Sequence, residues 1–254
     1  MFYFDAHNHL CHDSYPDIPG GAYGCISSFG SEDEWNSFAY HDRSAVLRSF
    51  GIHPQSFANA GAVPDDFERG FAFMEKLASE GKLYAVGEIG LDFFEERFRA
   101  VSSLQEEFWL RQVDFAGRMS LPVVVHCRKA MERIHSDARI LSSLPAVVFH
   151  SFPGNSADAR CLLRRGVNAF FSFGKHQVLN GKKATFEMLS RAGEFRGRIF
   201  LETDCPYQTL RGERSTSSSE IVRVYEAASR LFGADFFDIT AESFSRLPKP
   251  ARIP

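Results

Sequence analysis

Short apolar runs alternate with longer segments of helical periodicity from one end of the chain to the other, the pattern of an α/β protein with a parallel sheet. Eight runs read as buried strands: residues 2–6, 23–28, 45–51, 83–87, 121–125, 145–149, 168–173 and 198–203. Eight strands suit a closed barrel. An open doubly wound sheet would more often carry a glycine-rich phosphate loop after an early strand, and none is present. The expected fold is a TIM-type (β/α)8 barrel formed by residues 1–254 as a single domain.

Helical segments are expected over 65–80, 103–119, 129–142, 156–165, 182–192, 218–232 and 238–246. The segment 65–80 opens with acids, which favour a helix N-terminus. Gly81, Gly166 and Gly233 fall where helices should end in the left-handed conformation. The first gap, LCHDSYPDIPGGA, holds two prolines and a glycine pair, so the first βα helix is expected to be reduced to a loop. The stretch 31–40 has room for a short helix only.

With 254 residues, 44% of them hydrophobic, the chain can bury a core of barrel size. Its net charge of -3 argues against broad non-specific attraction to nucleic acid, though not against a local phosphate pocket made by metal and a few cations. Five cysteines without a CxxC pair read as reduced thiols, and Cys127 and Cys205 as packing residues facing away from their neighbours' chemistry. No targeting segment or membrane-length apolar run is visible, so a cytoplasmic protein without membrane contact is expected.

The chemistry gathers at strand ends. His7 and His9 form an H-x-H pair, which a strand presents on one face. Glu88 lies in VGEIGLD, His126 after VVV, His150 after VVF and Asp204 after IFLET. A parallel barrel builds its site at this end of its strands, and imidazoles with carboxylates suit divalent ions such as Zn, Mn or Mg. Glu88 has two oxygens and could bridge two cations. Asp204 could contact a metal and accept a proton from water, with Glu202 able to share its face; Asp92 reads as a loop acid that could equally cap the next segment. His53, in GIHPQ, is expected at the barrel mouth, touching substrate or assisting proton transfer. Arg128 should point to the same mouth and suits a phosphate or carboxylate. Weaker candidates are His12, His41, His135, His176 and Lys175, and Phe94, Phe152 and Trp35 could line a substrate groove.

Taken together, FDAHNHL, GIHPQ, VGEIGLDF, the Gln105–Phe108–Gln112–Ala116 helix leading into LPVVVHCRKA, FHSFPGN, FFSFG and LETDCPY resemble the TatD family of metal-dependent hydrolases, in the amidohydrolase-like barrel superfamily. The resemblance implies a barrel holding one to three divalent ions on His7, His9, Glu88, His126, His150 and Asp204, with Glu88 bridging. It also implies a deoxyribonuclease, often exonucleolytic, or an enzyme that removes D-amino acids from tRNA. The chain departs from the family pattern after LETDCPY, where RGERSTSSS replaces an Arg-Asn-x-Pro stretch, and near ESFSRLP. The expected activity is hydrolysis of a phosphodiester in the manner of a 3′-5′ DNA exonuclease, acting on nucleic acid ends. The alternatives are D-aminoacyl-tRNA deacylation and, in a different class, a non-catalytic metal-binding barrel acting as an interaction module. Oligomeric state is left open by the sequence.

Overall fold

A computed structural model describes residues 1–38, 45–59 and 63–249. Eight parallel strands close a barrel in sequence order: β1 (Phe2–Asn8), β2 (Ala22–Phe29), β3 (Val46–Phe50), β4 (Ala85–Asp92), β5 (Val123–Arg128), β6 (Val147–Phe149), β7 (Ala169–Gly174) and β8 (Ile199–Glu202). Every expected strand is present. The largest difference is β4, which does not stop at residue 87 but runs through Glu88 to Asp92. The helices are α1 (Glu32–Ser37), α2 (Pro64–Ser79), α3 (Glu96–Arg99), α4 (Ser102–Met119), α5 (Met131–Ser136), α6 (Ala138–Leu141), α7 (Ser156–Arg164), α8 (Lys175–Leu179), α9 (Lys183–Ser190), α10 (Ile221–Phe232) and α11 (Phe236–Ser245). The helix expected over 129–142 is two short ones that meet at Asp137, whose carboxylate accepts from Trp109 Nε1. Between β1 and β2 there is only a 3-10 turn, Leu10–His12, as the prolines and glycines of that gap require.

Phe4, Ala6, Ile26, Ala85, Val124, Val148, Phe170 and Phe200 form one cluster from seven strands, which fills the barrel interior as a packed plug. A larger cluster lies between the strands and the outer helices. The polar site therefore sits above an apolar floor: His126 follows Val124 by two positions, and His150 follows Val148 by two.

Strand alternation breaks at two points, and each brackets a site residue. On β4, Val86 and Ile89 both join the outer cluster although three positions apart, and the register against β5 shifts between them. Glu88 lies inside that irregularity. On β1 the register against β2 shifts between Asp5 and Asn8, around His7. Such irregularities re-aim side chains beside functional sites.

The β1–β8 seam has a single paired position, Asp5 with Leu201; beyond it the seam is closed by backbone bonds from Asp204 N to His7 O and His9 N to Cys205 O, and by side chains. Asp5 accepts from Thr203 N at 2.9 Å, Thr203 Oγ1 at 2.6 Å, Tyr23 OH at 2.9 Å and Asn8 Nδ2 at 3.2 Å. Burial pushes its carboxyl up to about 7 even against these donors. Tyr225 of α10 donates to Phe4 O and accepts from Phe4 N, pinning the last helices to the first strand.

Candidate metal centre

At the carboxyl ends of the strands, Glu88 stands at the middle of a ring of imidazoles. Its two oxygens face different neighbours. Oε2 lies 3.2 Å from His7 Nε2 and 3.4 Å from His9 Nε2. Oε1 lies 2.8 Å from His150 Nε2, 2.9 Å from His126 Nδ1 and 3.1 Å from His53 Nε2. Asp204 closes the His7–His9 side, with Oδ1 3.5 Å from His7 Nε2 and 3.7 Å from His9 Nε2. The six residues named from the strand ends thus converge, and they divide into two donor groups that share one carboxylate.

Each is positioned by its element. Asp204 follows β8 in the left-handed conformation, φ 52°, held there by its own N–H to His7 O at 3.0 Å. Gln208 Nε2 donates to its Oδ2, leaving Oδ1 for the histidines. His126 turns Nε2 to Asp92 Oδ2 at 3.2 Å, and His150 turns Nδ1 toward Glu202 Oε1 at 3.5 Å. Both acids are fully buried. Asp92 is therefore no loop acid: it ends β4, takes Gln55 Nε2 as a second donor and caps Phe94 N with its other oxygen. Two buried glutamines of α4 grip the strand ends from behind. Gln105 pairs with both the N–H and the carbonyl of Asp92, and Gln112 with both of Ile52, beside His53.

Electrostatics follow from burial and crowding. Burial pushes the Glu88 carboxyl up, but His150, His53 and His7 together outweigh it and hold it well below the usual range. Burial lowers His7, aided by neighbouring His150, and lowers His53 despite Glu88. For His150, His9 and His126 burial also works downward, yet Glu88 with Glu202, Asp204 and Asp92 respectively raises them above an ordinary imidazole. Asp92 drops to about 2 because its hydrogen bonds to His126 and Gln55 outweigh burial.

A metal fits this donor set. His7 Nε2 is a buried nitrogen with no hydrogen bond, aimed at the gap between Glu88 and Asp204. An orphaned buried nitrogen costs about 1–3 kcal/mol unless something occupies its lone pair. His7, His9 and Asp204 offer atoms within 4.8 Å of one another, as do His7, Glu88 and His150. Imidazole nitrogen with carboxylate oxygen is the chemistry of zinc, manganese and related ions. His53 also lies in such a group, with Glu88 and His126, but its ring is already committed. Its Nδ1 accepts from Gln55 N at 3.2 Å, so the neutral ring carries its proton on Nε2 and donates to Glu88.

A cavity of about 590 Å³ opens over the centre, lined by Glu88, His126, His150 and Asp204 with His53 and Arg128. The Arg128 guanidinium lies 3.8 Å over the Phe94 ring, which is exposed at the rim. Trp35 and Phe152, expected as groove residues, are buried in the outer core. Lys175 is buried against Glu213 and Glu220, and His135 pairs with Asp158, away from this cavity. His176, on α8, is not part of the cavity lining either. His41 lies outside the described residues. The supporting roles of Asp92, Glu202, Gln55 and the α4 glutamines are not expected from the sequence; its only signals are the i+2 spacing of Glu202 to Asp204 and the acid four residues after Glu88.

A closed parallel barrel with a histidine–carboxylate centre at its carboxyl mouth defines a class of metal-dependent hydrolases. The sequence model for TatD related DNase matches residues 4–247, so the chain belongs to that family and is a metal-dependent hydrolase. It is 28% identical over 212 residues to the metal-dependent hydrolase YabD of Bacillus subtilis, covering 80% of this chain and 77% of that protein. It is 35% identical over 159 residues to the 3′-5′ ssDNA/RNA exonuclease TatD of Yersinia pseudotuberculosis, covering 62% of this chain and 56% of the exonuclease. The crystal structure of the TatD homologue YJJV from Escherichia coli superimposes with a TM-score of 0.74 at 19% identity, over 96% of this chain and 95% of the other. Among the described residues, no helix is long and apolar enough to cross a membrane.

Proposed function

We propose that the chain is a metal-dependent phosphodiesterase that removes nucleotides from the 3′ end of single-stranded nucleic acid. The observation that carries the reading is Glu88, one carboxylate whose two oxygens face two separate donor groups. In this reading His7, His9, Asp204, His126, His150 and Glu88 would hold the divalent metal, with the Glu88 carboxylate available to both donor groups. When bound, such metal would lower the pKa of water and neutralise charge on a phosphoryl oxygen.

The protein's own groups do the rest. Asp204 lines the cavity beside His7 and His9, where its carboxylate would accept a proton from the attacking water. His53 keeps its Nε2 proton on Glu88 and fixes the direction of that carboxylate. Arg128, stacked on Phe94 at the rim, offers its guanidinium edge to a phosphate while the ring's free face can take a base. The exonuclease name of the Yersinia relative supports nucleic acid as the substrate. Zinc, manganese and magnesium are all compatible with these donors, in one to three sites. A cytoplasmic location is part of the same proposal.

The test loads purified protein separately with Mg, Mn and Zn and incubates it with 5′-labelled single-stranded DNA beside Asp204→Asn. A metal-dependent ladder that shortens from the 3′ end, with Asp204→Asn folded but at least about 1000-fold slower, is the expected result, since an essential proton acceptor is lost. Wild-type rates in the variant, or intact DNA with metal bound, overturn the reading.

A further inference from the structure

We propose that Cys11, His12 and Glu34 form a separate divalent-cation site, of zinc type, on the wall of the same cavity. Cys11 and His12 lie in the 3-10 turn after β1, and Glu34 lies in α1 after β2. Their donor atoms, one sulfur, one nitrogen and one oxygen, lie within 4.8 Å of one another. His12 Nε2 is 3.3 Å from Glu34 Oε1.

The acid is held for this. Glu34 Oε2 accepts from Gly30 N at 2.7 Å, and Glu34 N donates to Ser31 Oγ at 3.2 Å. One carboxylate oxygen is thus spent on backbone and the other is turned to His12. The turn bearing His12 is fixed by its N–H to His9 O at 2.9 Å. An ordinary surface ion pair would need only His12 and Glu34. The adjacent sulfur makes a mixed thiol, imidazole and carboxylate set, which suits a borderline-soft ion such as zinc and not magnesium or calcium. Binding forms bonds from the ion to sulfur, nitrogen and oxygen and releases the thiol proton to solvent. Three protein ligands leave a fourth tetrahedral position for water or an anionic oxygen. His12 and Glu34 line the cavity that also contains Glu88, so an ion held there would share that cavity with a substrate.

The larger centre offers only nitrogen and oxygen. Cys25, Cys127 and Cys205 are buried in the outer core, and Cys11 is the only cysteine in a metal-competent cluster among the described residues. Sulfur ligation is therefore a signature of this site alone, and it does not depend on what the larger centre hydrolyses.

The full chain, stripped of metal by chelation, is titrated with Co²⁺ and followed by absorption. The expected result is visible d–d bands from nitrogen and oxygen ligation, with an intense near-ultraviolet thiolate-to-cobalt band besides. Cys11→Ser, nearly isosteric, removes the near-ultraviolet band and keeps the visible ones. His12→Gln and Glu34→Gln, at partly exposed positions, each weaken the near-ultraviolet transition's cobalt affinity by at least about 10-fold, since even outer-sphere losses cost that much. No near-ultraviolet band in the unmodified protein, or one that survives Cys11→Ser, overturns the proposal. So does a band lost with Cys11→Ser but indifferent to both other variants, which would mark a lone thiol.

Discussion

His126 and His150 each turn one nitrogen to Glu88 and the other to a buried acid, Asp92 for the first and Glu202 for the second. A carboxylate behind an imidazole fixes the ring and raises its basicity, so it strengthens a metal bond it never touches. Asp92 allows this to be separated from folding, because its Oδ1 caps Phe94 N while only Oδ2 faces His126. In Asp92→Asn the amide oxygen can keep the cap while the charge on the histidine side is lost. Metal affinity should fall about 10- to 100-fold with an unchanged circular dichroism spectrum, read by competition with a chromogenic chelator. Unaltered affinity would show that His126 needs no partner, or is no ligand.

At the scale of the element, the two interrupted strands decide the site's geometry. A strict alternation on β4 would send Glu88 outward with Val86, since their spacing is two. The irregularity turns it inward, and glycines make room. A Cβ on Gly90, where φ is 140°, would lie 1.9 Å from His126 O on the neighbouring strand. Gly90→Ala should therefore destabilise the fold by about 3 kcal/mol or more, through combined backbone strain and clash, measured by guanidinium unfolding. A loss under about 1 kcal/mol would mean that β4 and β5 can separate without cost.

The same strand shows where sequence reading stops. Eight apolar runs in order, with a broken first gap, make the barrel and its reduced first βα unit legible, because burial on both faces leaves long Val, Ile and Phe runs. His7, His9, His126, His150 and Asp204 stand out for the opposite reason, as polar residues at the ends of those runs. The end of β4 is misplaced because an acid between glycines reads as the close of a strand, whereas here it is a re-aimed residue inside one. The supporting shell is hidden for a different reason. Asp92, Gln55, Gln105 and Gln112 act through contacts between distant segments, and no local pattern distinguishes a glutamine that grips a strand end from one on a solvated helix face.

For the whole molecule, the centre concentrates four buried acids, Glu88, Asp92, Glu202 and Asp204, above an apolar plug. Folding must desolvate them, and hydrogen bonds from the surrounding groups offset that cost only in part; Glu202 Oε2, His7 Nε2 and His150 Nδ1 remain without a hydrogen bond. Divalent ions that bind the folded chain and not the unfolded one add stability by mass action, about 4 kcal/mol when free metal exceeds its dissociation constant 1000-fold. For a chain of this length each kcal/mol moves the melting temperature by about 2–4 °C. Chelation should therefore lower the melting temperature by roughly 10 °C, measured by differential scanning fluorimetry. His7→Ala should melt below the metal-loaded protein and show a smaller chelator shift, because the nitrogen aimed at the gap between Glu88 and Asp204 is gone while His126 and His150 remain on the other Glu88 oxygen. A chelator shift as large in His7→Ala as in the unmodified chain would place the stabilising ion somewhere other than between Glu88 and Asp204.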